Sequence, residues 1–412
     1  MTSLPLSYRR ALCGASFAAA ASVCLSPCVA SAQSRASVDV SAGATAASNP
    51  YLLDGPNTSA AGVNLTIRPS LTVETGTSAV TFSGDLSLEE FFDKYGLDDS
   101  VQLGASGEHR IDEKTTLSTD VGFSSSKSAA RRFYLTAPTG IVEGGEVPAA
   151  SLLDPTLPSL TGRSSRLSVN GSVKHLLNPT SSLVASARMG LTRVNSVSGR
   201  DYRDSNLGLE YTRTLSETTS AVVTVNGGYA DYLGQRAGDG LFFTSLVGVD
   251  HQFSQAIHFS AQIGASIAAI ESPIGKRDTT VAWAGNLNLC NKDGRGSVCL
   301  TGARATQPTS FGGLTTVSSI GLNYARTFGP RGTASVSATY SRTSQASLPF
   351  LTGLSRRTEL ASVSGTFRRK LTERIAAFVT PSLALVDDDG RSGRRENYQL
   401  LLGVSYIFGR TQ

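Results

Sequence analysis

Apolar and polar residues alternate with a period of two through most of this chain. In Val63, Leu65, Ile67, Pro69, Leu71 and Val73 every second residue is apolar, and between them stand Asn64, Thr66, Arg68, Ser70, Thr72 and Glu74. A strand sends two such sets to opposite faces. Val80, Phe82, Leu86 and Leu88 repeat the split against Thr81, Ser83, Asp85 and Ser87. Leu167, Val169 and Val173 do so against Arg166, Ser168, Asn170, Ser172 and Lys174, and Ala334, Val336, Ala338 and Tyr340 against Ser335, Ser337, Thr339 and Ser341. No stretch of comparable length keeps a helical period. The reading is all-β, with one apolar and one polar face on each strand.

Composition narrows the class. Of 412 residues 17% are charged and 40% hydrophobic, with 41 Gly, against about 25% charged in ordinary soluble domains. No run approaches the ~20 apolar residues of a membrane helix, and the hydrophobes are too many and too evenly spaced for disorder. The net charge of +5 is dispersed and falls by two if Arg9 and Arg10 leave with a leader. No basic patch reads as a nucleic-acid footprint.

Residues 1–32 read as a secretory signal, with Arg9 and Arg10 as the positive region, Ala11 to Leu25 as the apolar stretch and Ala30-Ser31-Ala32 as the cleavage site. Residues 33–412 then form one barrel unit. Of the 5 cysteines, Cys290 and Cys299 lie outside the leader, on either side of the turn-like run Asn291 to Gly296. A hairpin disulfide and two unpaired small hydrophobes are both open readings. No His lies near for a zinc site, and no cofactor is expected.

Two classes of punctuation separate the strands. Short polar turns fall at Glu74 to Thr77, Asp112 to Lys114, Asn178 to Thr180, Ser216 to Thr218, Ser254-Gln255, Asn291 to Gly296, Phe328 to Gly332 and Leu371 to Arg374. Longer connections alternate with them: Asn49 to Ser59, Glu89 to Ser100, Ser126 to Gly162, Asn195 to Ser205, Gly234 to Gly240, Pro273 to Asp278, Gln307 to Gly313, Gln345 to Arg356 and Asp387 to Arg395. The tally is roughly 18 strands, an even number, and a misplaced turn would reduce it to about 16. Short turns at one end and long loops at the other predict a transmembrane antiparallel up-and-down barrel, with the turns periplasmic.

At the C-terminus Tyr398, Leu400, Leu402, Val404, Tyr406 and Phe408 alternate with Gln399, Leu401, Gly403, Ser405 and Ile407. This ending resembles the assembly-signal strand of Gram-negative outer-membrane β-barrel proteins, departing from it in the tail Gly409 to Gln412. The opening Val38 to Ala46 followed by Asn49-Pro50-Tyr51 is similar to that of outer-membrane barrels of alphaproteobacteria. The resemblance implies a porin-like barrel in the outer membrane of a Gram-negative bacterium. It implies as partners lipid, lipopolysaccharide, the barrel-assembly machinery during biogenesis, small solutes and a second copy of the chain in a homo-oligomer. Aromatic girdles are expected, with Phe253, Phe259, Phe328 and Phe408 on the periplasmic side and Tyr229, Phe243, Tyr340 and Tyr398 on the outer side.

The functional expectation is passive diffusion of small hydrophilic solutes. Arg68, Arg110, Arg166, Lys174 and Arg188 are expected to face the lumen with the acids Asp85, Glu108, Asp120, Glu210 and Asp250. Ser126 to Gly162 is expected to fold inward and set Glu143, Glu146 and Asp154 opposite those bases as a constriction. An accessory barrel in envelope or exopolysaccharide assembly is the alternative, and an outer-membrane hydrolase a more distant one. The chain reads as a non-enzyme: parity points His109, His175 and His251 outward, and His258 inward without a Ser or Asp partner. No periplasmic plug is seen before the first strand, which argues against an energy-coupled transporter.

Overall fold

The computed structural model describes residues 33–55, 57–128, 162–195, 199–233, 239–271, 277–310, 313–345, 357–388 and 393–409. Eighteen strands follow in chain order: β1 Gln33–Ala47, β2 Ala60–Glu74, β3 Ser78–Phe91, β4 Gly96–Arg110, β5 Thr115–Ser126 and β6 Arg163–Asn178. Next come β7 Ser181–Asn195, β8 Asp201–Ser216, β9 Thr219–Leu233, β10 Gly240–Gln252, β11 Ile257–Glu271 and β12 Arg277–Asp293. The last six are β13 Gly296–Pro308, β14 Leu314–Phe328, β15 Gly332–Gln345, β16 Arg357–Lys370, β17 Ile375–Asp388 and β18 Arg395–Gly409.

Each strand pairs antiparallel with its chain neighbours, and β1 pairs with β18 from Ser37↔Gly409 to Ala47↔Gln399, which closes the sheet. Closure leaves no free edge, the condition for placing strands in lipid, where an unpaired backbone group costs several kcal/mol. Eighteen strands at a spacing of ~4.8 Å and a tilt of ~40° enclose a barrel roughly 36 Å across, backbone to backbone. Side chains alone do not fill that width. The β2–β3 ladder skips between Ile67↔Leu86 and Ser70↔Ser83, where Pro69 has no N–H to donate. Opposite it Gly84 makes room, since a Cβ there would stand 2.9 Å from Pro69 Cγ.

Seven of the eight short turns are closed by a side chain accepting backbone N–H groups. Thr75 Oγ1 accepts from Ser78 N at 3.0 Å, Asp112 Oδ1 from Lys114 N at 2.7 Å, Asn178 Oδ1 from Thr180 N at 3.0 Å and Ser216 Oγ from Thr218 N at 3.4 Å. Ser254 Oγ accepts from Ile257 N at 3.1 Å, Asp293 Oδ1 from Arg295 N at 2.7 Å and Thr372 Oγ1 from Ile375 N at 3.0 Å. The eighth, after Phe328, turns on Gly329 with φ 63°. One connection differs from expectation: β3 and β4 continue to residues 91 and 96, so the loop is residues 92–95 and not Glu89 to Ser100. Glu89, Glu90, Asp98 and Asp99 look loop-like as a charged run, yet they are strand residues, Glu89 in register with Asp98, Glu90 with Leu97 and Asp99 with Leu88.

Burial is inverted relative to a soluble protein. Along residues 61–66 apolar Val63 and Leu65 are exposed, whereas Asn64 and Thr66 are buried. Leu207, Leu209, Val247, Ile263, Val281, Leu322, Leu400 and Leu402 continue the exposed apolar belt around the barrel. Phe253, Phe328 and Phe408 stand on that outer surface near the short turns, and Tyr229, Phe243, Tyr340 and Tyr398 towards the loops. On β18 the outer face is Tyr398, Leu400, Leu402, Val404, Tyr406 and Phe408, the last two with ring centroids 4.4 Å apart. An apolar exterior on a closed, even-stranded barrel places the protein in the bacterial outer membrane.

Candidate functional site

Along the membrane-spanning stretch of the strands parity sends most hydroxyl, amide and charged residues into the lumen, where cross-strand register decides which charges meet. Arg68 Nε binds Asp85 Oδ2 at 2.7 Å. Arg368 on β16 reaches Asp39 on β1 at 3.2 Å and Ser405 at 2.7 Å, spanning β17 and β18. Arg166 on β6 donates to Thr192 at 2.9 Å, to Tyr202 Oη at 3.2 Å and to the Asp204 carboxylate at 3.1 and 3.2 Å. Between β6 and β8 lies Gly190, the register partner of Asp204. A Cβ on Gly190 would stand 2.4 Å from Asp204 Oδ1, so the missing side chain is what lets this carboxylate cross β7 to the guanidinium.

The remaining inward bases are spaced differently. Arg110 and Lys174 flank Thr116 in one row near the periplasmic end, both water-accessible. Arg188 stands between Asn170 and Asn206, one turn of the pleat below the Arg166 group, and is also exposed. Glu108 and Asp120 share that open lower wall. The loop acids Glu143, Glu146 and Asp154 lie outside the described residues. Cys290 and Cys299 are register partners that face the lumen and are joined by a disulfide in this structure.

The upper wall is dry, because two connections fold into it. In the first, residues 48–55, Asn49 N donates to Asn397 Oδ1 at 2.9 Å, and the Asn49 amide bridges Leu53 N and O, each at 2.9 Å. This turn drives Leu52 (φ 50°, 0% exposed) against Leu360, Ala384 and Val386. Arg395, buried and paired with Asp388, donates to Leu52 O at 3.1 Å. On the other flank Tyr51 packs against Phe91 and Tyr95, centroids 6.0 and 4.8 Å away. The second is the β13–β14 connection. Ser310 O accepts from Arg200 N at 2.7 Å, Thr309 N donates to Tyr232 Oη at 3.2 Å, and that hydroxyl donates to Gly313 O. Leu314 then seats among Tyr202, Ala230, Tyr232, Phe242, Ala268 and Ile270. Burying Leu52 and Leu314 contributes about 1.5–3 kcal/mol each.

The histidines sort as their parity requires, with one correction. His109, His175 and His251 face outward at the periplasmic end, each bonded through Nδ1 to its register partner: Ser78 at 2.7 Å, Thr115 at 3.0 Å and Thr219 at 2.8 Å. His258 faces inward and does have an acidic partner: Nε2 lies 3.0 and 2.9 Å from the two Asp250 oxygens. Asp250 is diagonal to it across the β10–β11 ladder, a neighbour that sequence spacing does not reveal. Among the described residues no group of three metal-binding side chains exists. Sequence reasoning also missed Asp204, Tyr202, Tyr232, Asp388, Arg395 and Asn397. The one signal for them was that polar and aromatic residues stand at inward positions near the long-loop ends.

No family model matches the chain, and no curated protein matches it. Among solved structures, the FrpB iron transporter of Neisseria meningitidis is similar at 10% identity over 91% of this chain and 82% of that one, with a TM-score of 0.45. OccK2 (OpdF) of Pseudomonas aeruginosa, in complex with glucuronate, is similar at 12% identity over 92% and 99%, TM-score 0.45. The siderophore receptor PirA of Pseudomonas aeruginosa is similar at 11% identity over 91% and 80%, TM-score 0.43. Overlaps this loose carry no argument about function, and the barrel assignment rests on strand pairing and the inverted burial. The chain is an outer-membrane β-barrel.

Proposed function

We propose that the protein is a porin-like channel for passive diffusion of small hydrophilic solutes, narrowed at its extracellular mouth by its own loops. The observation that carries this reading is the wet, charged lower wall beneath a mouth walled by folded-in connections. Arg110, Lys174 and Arg188 offer donors to a passing anionic group, while Arg68 and Arg166 are already engaged by Asp85 and Asp204. Glu143, Glu146 and Asp154 of the β5–β6 connection are assigned to the acidic side of the same constriction. Mixed charges of this kind give weak selectivity.

A second reading draws on the same upper wall: the packing of Leu52 and of Thr309, Ser310 and Leu314 against it also suits a non-conducting barrel that serves envelope or exopolysaccharide assembly. Planar-bilayer conductance of the refolded chain at two salt concentrations separates the two. Steady conductance proportional to salt supports the channel. A correctly folded barrel that passes no current overturns it and leaves the assembly role.

A further inference from the structure

On the lipid-facing side of β12–β16, a polar row tops the apolar belt. The register sets Arg304 of β13 beside Gly285 of β12 and Ser318 of β14, Ser318 beside Arg342 of β15, and Arg342 beside Glu359 of β16. All share the outward parity of the exposed Val298, Ile320, Val336, Tyr340 and Val363. Arg304 Cζ lies 4.6 Å from the centre of the Trp283 ring; its Nε donates to Trp283 O at 3.2 Å and its Nη1 to Ser318 Oγ at 2.5 Å. Arg342 Nε is 3.8 Å from Glu359 Oε1, which Arg357 also pairs. The acids, Glu359 and its register partner Asp387, gather at one end of the row. The Arg304 end has a hydroxyl and an indole but no carboxylate within the row.

Height fixes the neighbourhood. Trp283, Ser318, Arg342 and Glu359 stand about ten residues above the periplasmic turn of their own strands. At ~3.3 Å per residue and a tilt of ~40°, that is ~25 Å, the top of the apolar band. Directly below, Ile320, Leu322, Val336 and Val363 are exposed to the acyl region. Basic above and apolar below suits an amphiphile whose phosphates sit on the guanidinium groups while its chains lie along the wall. Arg304 and Arg342 are two strands apart, roughly 10 Å. That separation fits two phosphates on one sugar head better than a single phosphate carrying its own ammonium, which the surplus guanidinium charge repels.

We propose that the β12–β16 face binds the phosphorylated glycolipid of the outer leaflet, with Arg304 and Arg342 on its phosphates and Trp283 against its sugar. Trp283 is the only tryptophan in the chain, so its fluorescence reads this face alone. The full chain, refolded in detergent micelles, is titrated with bisphosphorylated lipid A. A saturable change in Trp283 emission is expected, and Arg342→Ala, which does not touch the indole, weakens it about tenfold. Arg326→Ala, which removes an outward guanidinium beside Phe328 at the periplasmic end, leaves it unchanged. Should Arg342→Ala fail to fold by heat-modified gel mobility, Arg342→Gln is used for the same comparison. The proposal is overturned by no saturable response, by a response that both Arg342 variants retain, by equal weakening in Arg326→Ala, or by an equal response to phosphatidylglycerol.

Discussion

At the scale of single residues, Gly190 decides more than its lack of a side chain suggests. By leaving β7 bare it lets Asp204 of β8 bind Arg166 of β6 across an intervening strand. Gly190→Val closes that path and releases the Arg166 charge to the lumen. In bilayers the expected result is a permeability ratio shifted towards anions by about twofold, read as reversal potential in a salt gradient. An unchanged potential in a folded variant would show that this pair does not face the conduction path. Leu52 is the corresponding apolar case. Leu52→Ala empties a fully buried seat at a cost of about 2–5 kcal/mol, and the outcome is faster proteolysis within residues 48–55 while the barrel stays intact by heat-modified mobility.

At the scale of elements, the strands were legible because a strand's two faces are a local property: successive side chains alternate regardless of what the strand later pairs with. The short turns were legible too, since Asp112, Asn178, Ser254 and Asp293 carry the acceptors that close them. The β3–β4 connection was not, because the charges Glu89, Glu90, Asp98 and Asp99 mark a rim of paired strands and not a loop. Turn chemistry yields a pH prediction. The N–H of Lys114 and the hydroxyl of Thr115 hold the Asp112 carboxyl below the usual carboxylate range. A depressed folded pKa contributes stability above the unfolded value and loses it as pH falls through the folded one. The wild-type hairpin therefore loosens on acidification, whereas Asp112→Asn, which keeps the acceptor without the charge, loses that dependence. Hydrogen exchange of Lys114 and Thr115 against pH is the measurement. A second prediction belongs to the β2–β3 ladder: Gly84→Val drives a side chain into Pro69 and lowers the temperature of the heat-mobility transition, as overpacking of about 1–3 kcal/mol requires.

At the scale of the whole molecule, the wall and the mouth are one structure. Arg395 ties the first connection to β17 and β18 through Asp388 and Leu52 O, both with little access to water. Removing it leaves Asp388 buried without its cation, a larger penalty than the pair's own contribution. Arg395→Ala is thus expected to free residues 48–55 from the upper wall and to raise single-channel conductance severalfold. Conductance equal to that of the parent chain would place the narrowest point elsewhere in the barrel.

Strand number, strand faces, turn positions and the apolar belt were written in the sequence by itself, because each depends on neighbours within a few residues. Lumen orientation of Arg68, Arg110, Arg166, Lys174 and Arg188 follows from the same parity. Their partners do not. Arg68 with Asp85, Arg166 with Asp204, His258 with Asp250 and Arg368 with Asp39 are set by register between strands and, for the last, by closure of β18 onto β1. Tertiary structure alone decided that Leu52, in a long connection, and Leu314, at the first position of β14, turn inward, since an apolar residue in or beside a connection finds its seat only once a closed wall stands around it.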